Sequence, residues 1–337
     1  MPLAATKAAL DAAAAQCAVM DHETMRNLVL DGGRAEYADR LDHIQSLTHL
    51  EHYTSSEVAA QIIRNREFWF TNVAFMNDHS EITGGLKLIH DVLAHISDPF
   101  RSVPGLWDDL PKYLVGIAGQ IVADTFALSL SGHDRASSDG RLVMWRSYGA
   151  DGKGACLVLK RQPIVDDRDI DFPISWIPMT CETESDFRTR VRNALAAIDV
   201  RIHAQLQRIM MIPRETIHYH LAHGLVQLAL GYKHIEFAYE REVRLIHHRK
   251  WTTPIPPHMS YDAQVIRGVL RPIFKVKFVG YPDNGLPDSD MANVLERVIV
   301  GPSDTGVMQK QAFEFLLENQ GIQAPVSICP IPYRGGL

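Results

Sequence analysis

Two carboxylates and a guanidinium fall at alternating positions in Tyr239-Glu240-Arg241-Glu242-Val243-Arg244. If this segment is a strand, alternation sets Glu240, Glu242 and Arg244 on one side. A carboxylate held there suits stabilisation of a developing cation, and Arg244 favours an ionised acid over a general acid of raised pKa. A solvated strand face with a cross-strand charge ladder explains the same letters. Two further segments invite chemistry. His52-Tyr53-Thr54 ends a β-prone stretch just before a helix start, where backbone N–H groups and the helix dipole favour anionic groups. It reads either as a corner for nucleotide ribose and phosphate or as an ordinary capped strand-to-helix junction. Ser129 and Ser131, followed by Trp145, Tyr148 and Gly149, combine small polar groups with aromatic faces able to stack a flat ring. Core packing is the plain alternative for both aromatics.

Other chemistries lack their spacing. Of the 16 histidines, His218, His220 and His223 cluster, but a helix sets His220 and His223 on one face and turns His218 away. No H-E-x-x-H motif accompanies them, so metal binding is not expected. There is no G-x-S-x-G elbow, no G-x-x-x-x-G-K-S/T loop and no G-x-G-x-x-G fingerprint, which removes the common hydrolase, P-loop and dinucleotide-fold readings. The 4 cysteines form no C-x-x-C pair, which suits a reducing compartment.

The elements that must position these residues follow from periodicity and turn chemistry. Residues 1–47 read as an N-terminal helical extension, with an alanine-rich start lacking the pattern of a secretory signal. A strand at 47–53 is followed by a helix capped at Thr54-Ser55-Ser56-Glu57, then by the aromatic strand Phe68-Trp69-Phe70-Thr71. Asn77-Asp78 precedes a helix to about Ala94. Pro99, Pro104 and Pro111 interrupt the next stretch before a helix from about Lys112 to Ala123. Strands are expected at 126–131, 154–159, 242–246, 274–279, 297–300 and 326–328, with helices at 184–211, 216–231 and 306–319. The chain is thus one α+β domain over 48–337 carrying helical insertions.

Composition agrees with a globular chain. The 337 residues are 46% hydrophobic and 22% charged, and 34 basic against 40 acidic residues leave a net charge of −6. Bulk attraction to nucleic acid or anionic lipid is not expected, nor is a membrane span. The expected location is cytoplasmic.

In order along the chain, several short stretches resemble the bacterial domain-of-unknown-function family 2971. They are His52-Tyr53-Thr54, Phe68-Trp69-Phe70-Thr71-Asn72, Met76-Asn77-Asp78 with Glu81, and Leu128-Ser129-Leu130-Ser131. Met144-Trp145-Arg146-Ser147-Tyr148-Gly149, Lys153-Gly154, Tyr232-Lys233-His234 and Glu240-Arg241-Glu242-Val243-Arg244-Leu245 follow. Ile299-Val300-Gly301-Pro302 and Ser327 with Pro332-Tyr333-Arg334 complete a resemblance spanning about residues 48–337. That family looks like a distant branch of the ADP-ribosyltransferase superfamily. The resemblance implies a split β-sheet core binding NAD in a cleft, and transfer of ADP-ribose to a macromolecular or small-molecule acceptor, as in toxins or anti-phage effectors.

The resemblance also implies roles. His52, with Tyr53 and Thr54 beside it, would meet the adenosine ribose, and Trp145 or Tyr148 would lie against the nicotinamide ring. Glu242 would take the place of the catalytic glutamate, with Glu240 as second acid, and Ser129, Ser131 and Arg244 would line the cofactor. Asn77, Asp78 and Glu81 either position a substrate or cap the following helix, and Arg334 with Ser327 could reach a diphosphate. Rival readings are a catalytically silent nucleotide- or protein-binding module and an NAD glycohydrolase. All rest on one geometric expectation: His52, Glu242 and an aromatic ring share a cleft.

Overall fold

The computed structural model describes residues 24–29, 46–76, 79–133, 139–162, 164, 173–250, 255–266, 268–284 and 286–333. The strands in chain order are β1 His49–Thr54, β2 Glu67–Asn72, β3 Thr125–His133, β4 Ala155–Lys160, β5 Ser175–Pro178, β6 Thr180–Glu182 and β7 Tyr232–His234. There follow β8 Glu242–His248, β9 Met259–Ile266, β10 Val269–Lys277, β11 Val279–Tyr281, β12 Leu286–Asp290, β13 Leu295–Val300 and β14 Val326–Ile328. The helices are α1 Ser56–Asn65, α2 His79–His95, α3 Leu106–Ala123, α4 Leu142–Ser147 and α5 Glu184–Ala204. Then come α6 Leu206–Ile209, α7 Arg214–Leu230, α8 Met291–Val294 and α9 Gly306–Asn319. No described helix is long and apolar enough to cross a membrane.

The chain divides into two compact units, one of 1–39, 77–123 and 180–235, the other of 40–76, 124–179 and 236–337. The first is mainly helical. It holds α2, α3, α5, α6 and α7, with β6 and β7 pairing in parallel. Its clustered histidines are core residues: His218, His220 and His223 are buried among Leu221, Ala222 and Leu225 of α7. His218 Nε2 lies 2.9 Å from the Leu106 carbonyl and its ring stacks on Tyr113 at 5.4 Å. Among the described residues no group of three or more potential ligands is placed to hold a metal. Pro111 does not end a helix, because α3 runs through it from Leu106. Buried Leu106, Trp107, Leu110 and Leu114 anchor the helix on both sides of the proline, and that packing offsets the missing backbone donor.

The second unit carries the sheet, ordered β14-β13-β4-β1-β3-β2-β10-β9, with β8 on β3 and β5 on β8. Its central strand is shared unevenly. β8 pairs with β3 along residues 125–131, while on the other edge β2 takes 126–127 and β1 takes 131–133. β1 and β2 therefore part along β3 and leave 128–130 unpaired on that edge. The mixed α+β class expected from the sequence agrees with this arrangement.

Register assigns the faces, because residues directly opposite on paired strands share a side. His52 lies opposite Leu157, and Leu157 opposite Val298. That face collects Leu50, Phe68, Phe70, Leu130, Leu157, Val243, Phe274 and Val298 into one core with Ala59, Ile62 and Ile63 of α1 and Phe313 and Leu317 of α9. The other face alternates with it. Near β1 it packs Tyr53, Cys156, Val158 and Ile299 against Met144 and Trp145 of α4.

β1, α1, β2, β3, β4, β8, β13, α9 and β14 coincide closely with the expected segments, and β5, β6, β7, β9 and β12 were not expected. Of the 1–47 extension only 24–29 and 46–47 are described. Asn77, Asp78 and Arg334 lie outside the described residues, as does the side chain of Glu81.

A buried polar network on the second face of the sheet

The second face carries charge where an ordinary sheet would carry hydrocarbon. Glu51 lies opposite Ser131, and Ser131 opposite Glu242, so three strands present a row of oxygens. One position further, Ser129 lies opposite Arg244. Glu51 is 2% exposed and is met by three donors. Tyr53 donates its hydroxyl at 3.0 Å, His133 lies at 2.6 Å through Nδ1, and Arg141 donates at 3.1 Å. A buried carboxylate needs this company, since unpaired charge in a low dielectric is costly.

Arg141 extends the network. Its guanidinium also donates to the Ser131 hydroxyl and to the Tyr239 carbonyl at 2.5 Å, and Ser131 in turn donates to the Glu240 carbonyl. The Glu240 carboxylate accepts from the Tyr148 hydroxyl at 3.0 Å. Gly140, at φ 73°, lets the chain pass here, since a β-carbon at that position would lie 2.8 Å from the Tyr53 hydroxyl.

Alternation alone does not explain how Glu240 reaches this face. Glu240 closes a 3₁₀ turn over Ile235–Glu240, Arg241 takes a left-handed φ of 46°, and the strand begins only at Glu242. The Gly132 amide donates to the Arg241 carbonyl at 2.8 Å, which ties that kink to β3. The expected strand through 240–244 is thus corrected at its first two residues, while its two acids still end near the same serine strand. Arg244, 1% exposed, donates through Nε to one oxygen of Glu242 at 2.7 Å and through Nη2 to the other at 3.1 Å. This bidentate bond fixes the carboxylate's orientation.

Ser129, Ser131, Tyr53, Tyr148, Glu240, Glu242 and Arg244 are therefore gathered around one face. The Ser129 hydroxyl is buried and meets no partner among the described residues. The Tyr53 hydroxyl is held well above the usual tyrosine range, first by burial and then by the nearby Cys156 and Glu51.

Three assignments are corrected. His52 points to the opposite face, where its ring meets Phe68 edge-on at 5.5 Å. Its Nδ1 lies 3.4 Å from the Ser129 carbonyl, in the gap that β1 and β2 leave along β3, so the imidazole serves a backbone acceptor that neither strand pairs. Burial pushes its pKa down to about 4. Between it and Glu242 lies the sheet itself, so the one-cleft expectation is not met. Thr54, two positions on, shares the side of His52. Trp145 is fully buried, edge-on to Tyr53 at 5.0 Å, and bonded through Nε1 to the Asp139 carbonyl at 3.2 Å. It offers no free face to a ligand. Tyr148 is the aromatic that reaches the acids. Ser327 lies on β14 with its hydroxyl buried and unpartnered among the described residues.

Sequence reasoning passed over Glu51, His133 and Arg141. A signal was present: Glu51-x-Tyr53 and Ser129-x-Ser131-x-His133 keep polar groups on every second position of two apolar strands.

With this geometry in hand, comparison with known protein families is informative for the middle of the chain. Residues 144–245, from α4 to β8, match the model of a protein family of unknown function, domain-of-unknown-function family 2971. The matched segment is narrower than the 48–337 over which the resemblance was read, and it contains Trp145, Tyr148, Glu240, Glu242 and Arg244. No curated protein and no solved structure matches.

Proposed function

We propose that the second face of the sheet is a nucleotide site that transfers ADP-ribose from NAD to an acceptor. The observation that carries the reading is the convergence of the serine strand and the paired acids: Ser131 opposite Glu242, Ser129 opposite Arg244, and Glu240 bonded to both Ser131 and Tyr148.

The chemistry explains the residue types. When the nicotinamide–ribose bond breaks, the bonding pair leaves with nicotinamide and positive charge builds on the sugar. A carboxylate already fixed in place stabilises that charge more in the transition state than in the ground state. Glu242, held by two bonds from Arg244, has that fixity. The acceptor's lone pair then forms the new bond to the sugar and its proton passes to Glu240 or to water. Arg141, whose side chain is 23% exposed, and the Ser129 hydroxyl, unpartnered among the described residues, supply donors for the phosphate and hydroxyl groups of such a substrate. Tyr148 takes the position beside the leaving ring. This version replaces the expected His52 cleft: it rests on Ser129, Ser131, Tyr148, Glu240 and Glu242 on the second face, and His52, Thr54 and Trp145 have no part in it.

A second reading has its own support. Glu242 is 8% exposed and both its oxygens already accept from Arg244, which suits a catalytically silent binding module. Incubation of the protein with NAD labelled in its ADP-ribose half separates the readings. Nicotinamide release with label on an acceptor is the expected result, and Glu240→Gln should lower it at least tenfold. Release without label transfer identifies a glycohydrolase, saturable NAD binding without turnover identifies a module, and absence of NAD binding overturns the proposal.

A further inference from the structure

A pocket opens on the same face at the far end of the polar network, lined by His49, His133, Val158, Glu296 and Arg297. Two consecutive residues line it, which regular alternation forbids. The reason is a β-bulge. Arg297 pairs with Val158 but Leu295 with Leu159, so Glu296 is an extra residue in β13. Bulges re-aim side chains, and this one brings an acid and a guanidinium to one side.

The bonding of Arg297 is incomplete. Its Nη2 lies 2.9 Å from His133 Nε2, and since a guanidinium only donates, that nitrogen accepts. His133 therefore carries its proton on Nδ1 and donates it to Glu51 at 2.6 Å. Arg297 Nε is buried and meets no acceptor, and no carboxylate lies within ion-pair distance of Arg297 among the described residues. The acid beside it is engaged elsewhere. Glu296 pairs with Lys160 at 3.4 Å and with His49 at 3.9 Å. A half-buried guanidinium whose Nε–H is buried and unmet, with no carboxylate in ion-pair distance among the described residues and a pocket lined beside it, is a receptor for an oxygen anion.

We infer that the pocket lined by His49, His133, Glu296 and Arg297 binds the oxyanion of a small ligand, a carboxylate or phosphate group, through the Arg297 guanidinium. The inference does not rest on NAD as the substrate, so failure of ADP-ribosyl transfer leaves it standing.

The test is a titration of arginine-labelled protein followed by the Arg297 Nε–H resonance, identified by its loss in Arg297→Lys. Sodium acetate and inorganic phosphate are added in separate arms, each against sodium chloride at matched ionic strength. A saturable shift with either anion and not with chloride is expected. Saturation by acetate alone marks a carboxylate ligand, and by phosphate alone a phosphoryl ligand. Glu296→Gln removes the one acid lining the pocket and should tighten the apparent affinity about threefold. Shifts no different from chloride overturn the proposal, as does an unchanged affinity in Glu296→Gln. If Arg297→Lys does not fold, Arg297→Gln identifies the resonance in its place.

Discussion

The two faces of one sheet solve burial in opposite ways. On one, Phe68, Phe70, Leu157, Phe274 and Val298 exclude water by packing hydrocarbon. On the other, Glu51, Ser131, His133, Glu240, Glu242 and Arg244 are equally hidden but depend on each other's hydrogen bonds. A core of the first kind tolerates hydrophobic exchange of similar volume. One of the second kind fails when a single partner goes, because the group left behind is buried without its hydrogen bond. The contrast directs tests of function to the second face, where the ionisable groups converge.

Truncation of the apolar face should cost most. Phe274 is fully buried, stacks on His247 at 3.8 Å and lies edge-on to Phe70 at 6.1 Å. Phe274→Ala should lower unfolding stability by about 3–5 kcal/mol, read from the urea midpoint, with the polar network left in place. A loss under about 1 kcal/mol would show that this face is loosely packed. On the second face, Glu51→Gln leaves Tyr53, His133 and Arg141 without their common charged acceptor. The expected loss is about 3 kcal/mol. The cost should shrink in an Arg141→Met background if the network acts as a unit, whereas simple additivity would break the claim that these residues are coupled.

Next in size is a pH effect that belongs to the apolar face. His52 holds a pKa of about 4 in the folded protein against 6.5 in a free side chain, because burial penalises the charged imidazole. The unfolded chain therefore binds the extra proton between those values, and stability falls as pH drops from 6.5 towards 4. The contribution is roughly 2 kcal/mol at the acid end after allowance for partial exposure. His248, also pushed down to about 4 by burial, adds a slope of the same sign. His52→Gln, which keeps a donor for the Ser129 carbonyl, should flatten stability over this range. An unchanged slope would place the imidazole in water.

Much of the sheet was legible because alternation and caps are local. The strands at 49–54, 125–133 and 295–300 and the helix Gly306–Asn319 follow from periodicity within each segment. The face each residue takes was not legible, since it depends on register between strands far apart in sequence. Chemical character favours His52 over Glu51, yet it is the pairing of Glu51 with Ser131 and Val158 that decides which of the two meets the acids. Arg141 sits in a polar loop with no spacing of its own, and the bulge at Glu296 leaves no mark in the letters. The acids were found because two in three residues beside an arginine is a strong pattern, although the left-handed Arg241 between them was invisible.

The smallest effect bears most directly on what the second face is for. Tyr148 is half-buried and gives one hydrogen bond to Glu240 at 3.0 Å. Tyr148→Phe keeps the ring and removes the hydroxyl, so stability should fall by only about 1 kcal/mol, read from the urea midpoint. If Glu240 serves the acceptor in ADP-ribosyl transfer, losing this donor alters the acid's orientation and basicity. Label transfer from NAD should then drop severalfold and its pH profile should shift, with NAD binding little changed. A purely structural tyrosine would lower stability by the same amount and leave the pH profile where it was. The pair of measurements thus separates a face that merely stays folded by hydrogen bonding from one whose hydrogen bonds set the reactivity of an acid.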